Sequence, residues 1–246
     1  MNADNRDALT TMPNEWYEEL WRHDWMDYSR YGPTRRHVRR IIHTLIAPFS
    51  FESVLDVGCG EGSLLAEIGR ARPGVRLAGT EVSPEALRYA RVEVPNGTFT
   101  LLDLEHTVLP DPADLTICSE VLEHLQDDET AIAHLAAMTR RYLVVVVPQG
   151  KMRRFERGNV GHVRNYTRSD LCAKLERAGL TPIIVVEWGF PFFSPLYRNF
   201  LDRIPNTIVK GRMGWRKRLM SDLLYRLFEL NAWDRGDKLA VLAARW

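Results

Sequence analysis

A chain of 246 residues, 45% hydrophobic and 26% charged, suits one large domain or one domain with an elaboration. Its formal charge of +1 gives no global support to a nucleic-acid binder that works by bulk electrostatics, and Cys59, Cys118 and Cys172 are too widely spaced for a disulfide framework or a thiolate zinc site. No stretch of about 18 apolar residues occurs, and a polar N-terminus with Asp4, Asp7 and Glu15 does not read as a secretory signal, so the expected location is cytoplasmic.

Residues 1–48 read as a helical arm. Its first 33 residues are polar with interspersed Trp16, Tyr17, Trp21, Trp25, Tyr28 and Tyr31. TRRHVRRIIHTLIAPF then places Val38, Ile41, Ile42 and Leu45 at helical spacing, with Arg35, Arg36, Arg39 and Arg40 opposite, expected to be solvated. Residues 49–189 form a core in which strands and helices alternate. SVLDVG is a short buried strand, GSLLAEIGRAR a helix ended by Pro73-Gly74, and VRLAGTEV a second strand. SPEALRYARVE is a helix capped by Ser83 with Pro84 at its first position. TFTLLDLE and ADLTICSEV are the third and fourth strands, and residues 127–141 are helical. RYLVVVVPQG is continuously apolar, as a central parallel strand should be. TRSDLCAKLERAGL is a capped helix and TPIIVVEWG a sixth strand. Residues 190–236 form a long helical insert, and the last core strand lies in 237–246. The rhythm predicts an α/β fold, doubly wound around a mostly parallel sheet of seven strands.

In such a sheet a ligand sits beyond the C-terminal strand ends. The first such loop is Gly58-Cys59-Gly60-Glu61-Gly62. Glycines let a backbone turn tightly and lie against a ligand with no side chain between. A dinucleotide fingerprint would be G-x-G-x-x-G, but here the third glycine comes one residue early and Ser63 occupies its place. Asp56, two residues before the first glycine, suits a ligand carrying a cationic amine better than a pyrophosphate. Glu81 ends the second strand, where an acid can hold a ribose diol.

VLDVGCGEG, GTEVSPEAL, LLDLE, ICSEVLEHLQDDE and YLVVVVPQG follow one another over residues 53–149, and with GHVRNYTRSDLCAKLERAGL they resemble the class I S-adenosylmethionine-dependent methyltransferases of bacterial small-molecule type. The resemblance implies a Rossmann-like methyltransferase fold and S-adenosyl-L-methionine as cofactor. By that resemblance Asp56, Gly58, Cys59 and Gly60 wrap the methionine part. Glu81 takes the ribose hydroxyls, Val82 packs on the adenine, and Asp103 meets its amino group with Leu104 beside it. Ser119 and Glu120 stand where the methionine end and the acceptor meet, and Tyr31 with Gly32-Pro33 belongs to a lid over the cofactor.

The acceptor side is less defined. His124 and His162 are candidate bases, Glu120 a further catalytic candidate, and Tyr166 a pocket wall or hydroxyl donor. Glu120, Glu123 and His124 share a face on a helical turn, and with His162 they are similar to the metal site of small-RNA 3′-terminal 2′-O-methyltransferases. Such segments also occur in metal-free members, so no metal is expected. Trp16, Trp21 and Trp25 either line an acceptor pocket or dock the arm. From Arg198 to Arg226 eight Lys/Arg stand against two Asp, interleaved with aromatics and leucines. The insert is therefore an acceptor cap, a membrane-facing surface or a packing or homodimer element. The expected acceptor is small and partly apolar, methylated on oxygen or nitrogen, with lipid-linked and peptidic acceptors included. The alternatives are a metal-dependent RNA ribose methyltransferase, a non-catalytic cofactor-binding module and an NAD-dependent oxidoreductase.

Overall fold

The computed structural model describes residues 18–19, 21–22, 25–203 and 212–246. Trp16 and Tyr17 lie outside them. Seven strands form one sheet in the order β3-β2-β1-β4-β5-β7-β6. They are β1 Ser53–Val57, β2 Arg76–Glu81, β3 Thr98–Leu101, β4 Ala113–Ser119, β5 Thr139–Pro148, β6 Thr181–Trp188 and β7 Lys238–Ala244. β1 to β5 pair in parallel, whereas β7 runs antiparallel to both β5 and β6. The sheet is thus the expected doubly wound one, with an antiparallel pair at one end.

The central strands are apolar throughout because both faces are covered. In β5, Val144 and Val146 face one cluster, with Val38, Ile41 and Ile42 of α2 (Pro33–Ile46), Leu65 and Ile68 of α3 (Ser63–Ala71) and Leu87 and Ala90 of α4 (Pro84–Glu93). Leu143, Val145 and Val147 face the other, with Ile132 and Leu135 of α5 (Asp128–Ala137) and Leu171 and Leu175 of α6 (Arg168–Arg177). Each such fully buried aliphatic side chain contributes about 1.5–3 kcal/mol.

Ser83, Asp127 and Thr167 cap α4, α5 and α6 by accepting from Ala86, Thr130 and Asp170 backbone N–H groups. The helix expected over 127–141 ends at Ala137, because Thr139 already pairs with Ala113 and opens β5. β3 is shorter than expected: Leu102 and Leu104 turn in toward the core instead of extending the edge strand.

The arginines of α2 are not solvated as expected. Arg39 bonds Glu67 and the carbonyls of Ser29 and Arg30, Arg36 stacks on Tyr225, and Arg40 lies over Trp233. Arg35 lies beside Glu120. This face of α2 is where the insert docks. Helix α8 (Trp215–Phe228) follows a shorter helix, α7 (Arg198–Leu201), and packs along α2. His37 is wedged between the rings of Trp188 and Tyr225, at 4.8 and 4.3 Å, and its Nε2 lies 2.9 Å from the Tyr225 carbonyl. Burial pushes its pKa down to about 4, so it packs as a neutral ring.

Candidate active site

A cavity of about 440 Å³ opens at the C-terminal ends of β1, β2 and β4. Its floor is the glycine loop. The N–H groups of Gly58 and Cys59 both donate to the Thr80 carbonyl, at 2.8 and 2.9 Å, which ties the loop to β2. Gly58 and Gly60 have φ of +77° and +54°, where a side chain is strained. A Cβ on Gly58 would lie 2.3 Å from the Val121 side chain, and one on Gly60 would meet the Trp21 ring at 2.8 Å.

Glu81 is fixed by three backbone donors. Gly60 N–H reaches one oxygen at 3.1 Å, and those of Val82 and Ser83 reach the other at 2.9 and 3.3 Å. The oxygen that takes only the Gly60 N–H keeps acceptor capacity for a ligand hydroxyl. Asp56 lines the same space, as does Glu61, which was not among the site residues expected. Burial, then the nearby Glu81 and Glu61, pushes the Asp56 carboxyl up to about 8. Burial also raises Glu81, against its backbone hydrogen bonds. Three buried acids in one cavity repel a pyrophosphate and favour a cation, so the residues fit a sulfonium and ammonium ligand and not a dinucleotide. Cys59, Val82, Asp103, Leu104 and Ser119 line the cavity too, as the sequence implies.

The roof is the arm. Trp21, Trp25, and Tyr28 and Ser29 of α1 (Met26–Tyr31) line the cavity. Ser29 donates to Glu61 at 2.6 Å, and Glu18 accepts from Ser83 Oγ and Glu85 N–H, which fastens the arm across the loop and the α4 N-terminus. Tyr31 lies elsewhere: its carbonyl accepts from Ser221 and its ring stacks under Arg218, so it faces the insert and not the cavity. No described residue of 190–236 lines the cavity.

The far end holds Glu120, Val121, His124 and Leu125. Glu120 has φ +60°, unusual for a residue with a side chain. It lies outside the turn Leu122–His124, so it does not share a helical face with Glu123. Its carboxylate accepts from Lys238 Nζ at 2.6 Å, with Arg35 at 3.8 Å. Burial would raise its pKa, but Lys238 and Arg35 outweigh it and hold the group ionised. Lys238 comes from β7 and carried no signal in the sequence.

Behind this end, Glu123, His124 and His162 bring ligand atoms within 4.8 Å of one another. The His124 and His162 rings meet edge-on at 4.9 Å, and His162 does not line the cavity. Neither Glu123 oxygen has a hydrogen-bond partner, and burial followed by Glu120 raises its pKa. Burial lowers both histidines to about 3. A neutral acid and two neutral rings beside Lys238 and Arg35 make a weak cation site. The four-residue set of the metal-dependent alternative is not assembled: Glu123, His124 and His162 come together, but Glu120 is committed to Lys238.

Tyr166 is no cavity wall. It is buried, with its hydroxyl donating to Asp128 at 2.7 Å and near the Leu122 carbonyl, and it braces the turn that carries His124 from beneath. A buried phenol needs such partners.

Residues 28–185 match the family described as Methyltransferase domain. A ubiquinone biosynthesis O-methyltransferase of Thiobacillus denitrificans is 33% identical over 188 residues, 68% of this chain and 80% of that protein. A trans-aconitate 2-methyltransferase of Afipia carboxidovorans is 26% identical over 115 residues, 46% of this chain and 45% of that protein. An N-methyltransferase from Bradyrhizobium japonicum WM9, crystallised with S-adenosyl-L-homocysteine, shares the fold with a TM-score of 0.62 at 16% identity, covering 94% of this chain and 97% of that one. With the glycine loop, the Glu81 cradle and the acidic cavity in place, the chain belongs to the methyltransferase-domain family and is an S-adenosylmethionine-dependent enzyme.

Proposed function

We propose that the acceptor is a small molecule with a sizeable apolar part, methylated on oxygen or nitrogen beside His124 and Glu120. The observation that carries this reading is that one cavity joins a set of buried acids, Asp56, Glu61 and Glu81, to an aromatic roof, Trp21, Trp25 and Tyr28. When bound, S-adenosylmethionine supplies a methyl group already activated as a sulfonium. Asp56 and the Gly58–Gly60 turn would hold its methionine part, Glu81 its ribose, and Val82, Asp103 and Leu104 its adenine.

The chain's remaining work is to align the acceptor and exclude water. The arm's tryptophans cover the cavity and give an apolar acceptor its contact area. His124 is neutral across the physiological range and can accept a hydrogen bond from a hydroxyl acceptor, orienting it; burial, then His162 and Arg35, makes the ring a weak base. Glu120, kept ionised by Lys238, can accept a hydrogen bond from that hydroxyl or from an amine and so orient it. An amine acceptor needs only this positioning. A lipid-linked or peptidic carboxylate falls within the same class.

The test is transfer of a labelled methyl group to a panel of apolar phenols, carboxylic acids and amines, set against small polar acceptors and RNA. We expect labelling within the apolar set. With a hydroxyl acceptor, His124→Gln displaces the accepting ring nitrogen and should lower turnover by about tenfold, the scale of one orienting hydrogen bond, and leave S-adenosylhomocysteine affinity unchanged. Labelling of RNA alone, or an unaffected His124→Gln, defeats the reading.

A further inference from the structure

On α8, Ser221 and Phe228 are buried against the body of the protein. The opposite side is apolar and open: Trp215 is 71% exposed, Leu219 54% and Leu223 57%, a stripe at four-residue spacing that Leu230, at 69%, continues just past the helix. Met220 and Leu227 flank it, also exposed, and Leu196 and Phe200 earlier in the insert are exposed as well. Scattered exposed leucines need no explanation, but a continuous stripe on one helix does.

The charge around the stripe is one-sided. Over 212–230 five Lys/Arg stand against Asp222 and Glu229. Asp222 is paired with Arg36 at 2.6 Å and Glu229 with Arg226 at 3.3 Å. Arg216, Lys217 and Arg218 crowd the first turn of α8, which has no acid, and Arg212 lies just before it. Cations at a helix N-terminus oppose the macrodipole, so their placement does not serve the helix itself.

We propose that α8 docks on an anionic phospholipid surface, with Trp215, Leu219, Leu223 and Leu230 entering the headgroup–acyl boundary and Arg212 and Arg216 meeting the phosphates. Charge complementarity favours this occupant over a second copy of the chain. A twofold contact centred on this helix would bring Arg212 and Arg216 of both copies toward one another, whereas a bilayer offers an apolar interior behind an anionic layer. Among the described residues no helix is long and apolar enough to cross a membrane, so the contact is a surface one.

The docking face adjoins the roof of the cavity. The Met213 N–H donates to Asp27 at 2.7 Å and Ser221 to the Tyr31 carbonyl at 2.5 Å, and both acceptors belong to the helix that carries Tyr28 and Ser29. An acceptor dissolved in the bilayer would therefore arrive beside the arm.

Flotation of the full chain with phosphatidylcholine vesicles, and with vesicles that also contain phosphatidylglycerol, tests the surface whatever the acceptor is. Wild type should float with the anionic vesicles and bind neutral ones at least tenfold more weakly. Arg212→Glu/Arg216→Glu removes two attractive charges, about fivefold each, before repulsion is added. Leu219→Glu/Leu223→Glu should abolish flotation. Both variants alter exposed residues and should bind S-adenosylhomocysteine as wild type does, which reports an intact fold. Failure of wild type to float, equal binding to both vesicle types, or flotation that survives both variants overturns the proposal. So does a wild-type dimer, seen by light scattering, that Leu219→Glu/Leu223→Glu renders monomeric without any loss of lipid binding.

Discussion

Asp56 should make cofactor-product binding release a proton. Its carboxyl is pushed up to about 8 by burial and by Glu81 and Glu61. At pH 7 about nine tenths of the free protein therefore carries that proton. S-adenosylhomocysteine brings an ammonium into the same cavity, which favours the carboxylate. Where the ligand holds Asp56 ionised, affinity scales as 1/(1 + 10^(pKa − pH)) and rises about thirtyfold between pH 5.5 and 7. His37, His124 and His162 lie at about 4, 3 and 3 and stay neutral across this window, whereas Glu123, raised to about 8, and Glu81, raised by burial, ionise toward its upper end, so Asp56→Asn is the control that assigns the slope. Titration calorimetry in buffers of different ionisation enthalpy should find about 0.9 proton released per ligand at pH 7. Asp56→Asn should bind more weakly and show a clearly shallower profile. A flat wild-type profile, or an unchanged slope in Asp56→Asn, refutes the electrostatic account. The shift has a stability side. The free fold keeps a proton that the unfolded chain loses near 4, so stability falls as pH rises from about 4 to about 8. Near pH 8, Asp56→Asn should accordingly melt a few degrees higher than wild type, at roughly 2–4 °C per kcal/mol.

Glu81→Ala should cost about 2–3 kcal/mol of cofactor affinity, the scale of hydrogen bonds to a charged group; unchanged affinity in a folded variant, by calorimetry and circular dichroism, would mean that the ribose lies elsewhere. Gly58→Ala and Gly179→Ala separate strain from collision: both have positive φ, near +77° and +79°, but a Cβ meets Val121 at 2.3 Å only at Gly58. Denaturant melts should show about 1 kcal/mol lost at Gly179 and clearly more at Gly58. Chelation by EDTA should leave turnover intact, because Lys238 and Arg35 already neutralise Glu120; stoichiometric metal by elemental analysis, with activity lost on its removal, would reverse that.

The strands and the glycine loop were legible because their signals are local: apolar runs bounded by turns, and Gly-x-Gly at a strand end. Asp56, Glu81 and Asp103 were legible for the same reason, each lying at or just beyond a strand end on the same edge of the sheet. The acceptor end was not. Glu120 and Lys238 are 118 residues apart and meet only because β7 inserts next to β5. The arginines of α2 read as a wet face because the sequence shows which side is charged but not what packs on it. The Gly-Pro after Tyr31 marks that tyrosine for the lid, yet Tyr28, one turn earlier, lines the cavity, while Tyr31, the last residue of α1, lies under Arg218 of the insert.

The strand that pairs with both β5 and β6 is drawn from the far side of the insert, and this orders events on the ribosome. While the chain is being made, β5 and β6 each present an unpaired edge and wait through the whole of 190–236 for β7 to emerge. Unpaired apolar edges invite mispairing and aggregation. Glu120 waits as long for its lysine. The nascent protein can shape its glycine loop early, but the end of the cavity beside Glu120 acquires its countercharge only when the sheet closes, so an incomplete chain has no balanced site with which to act.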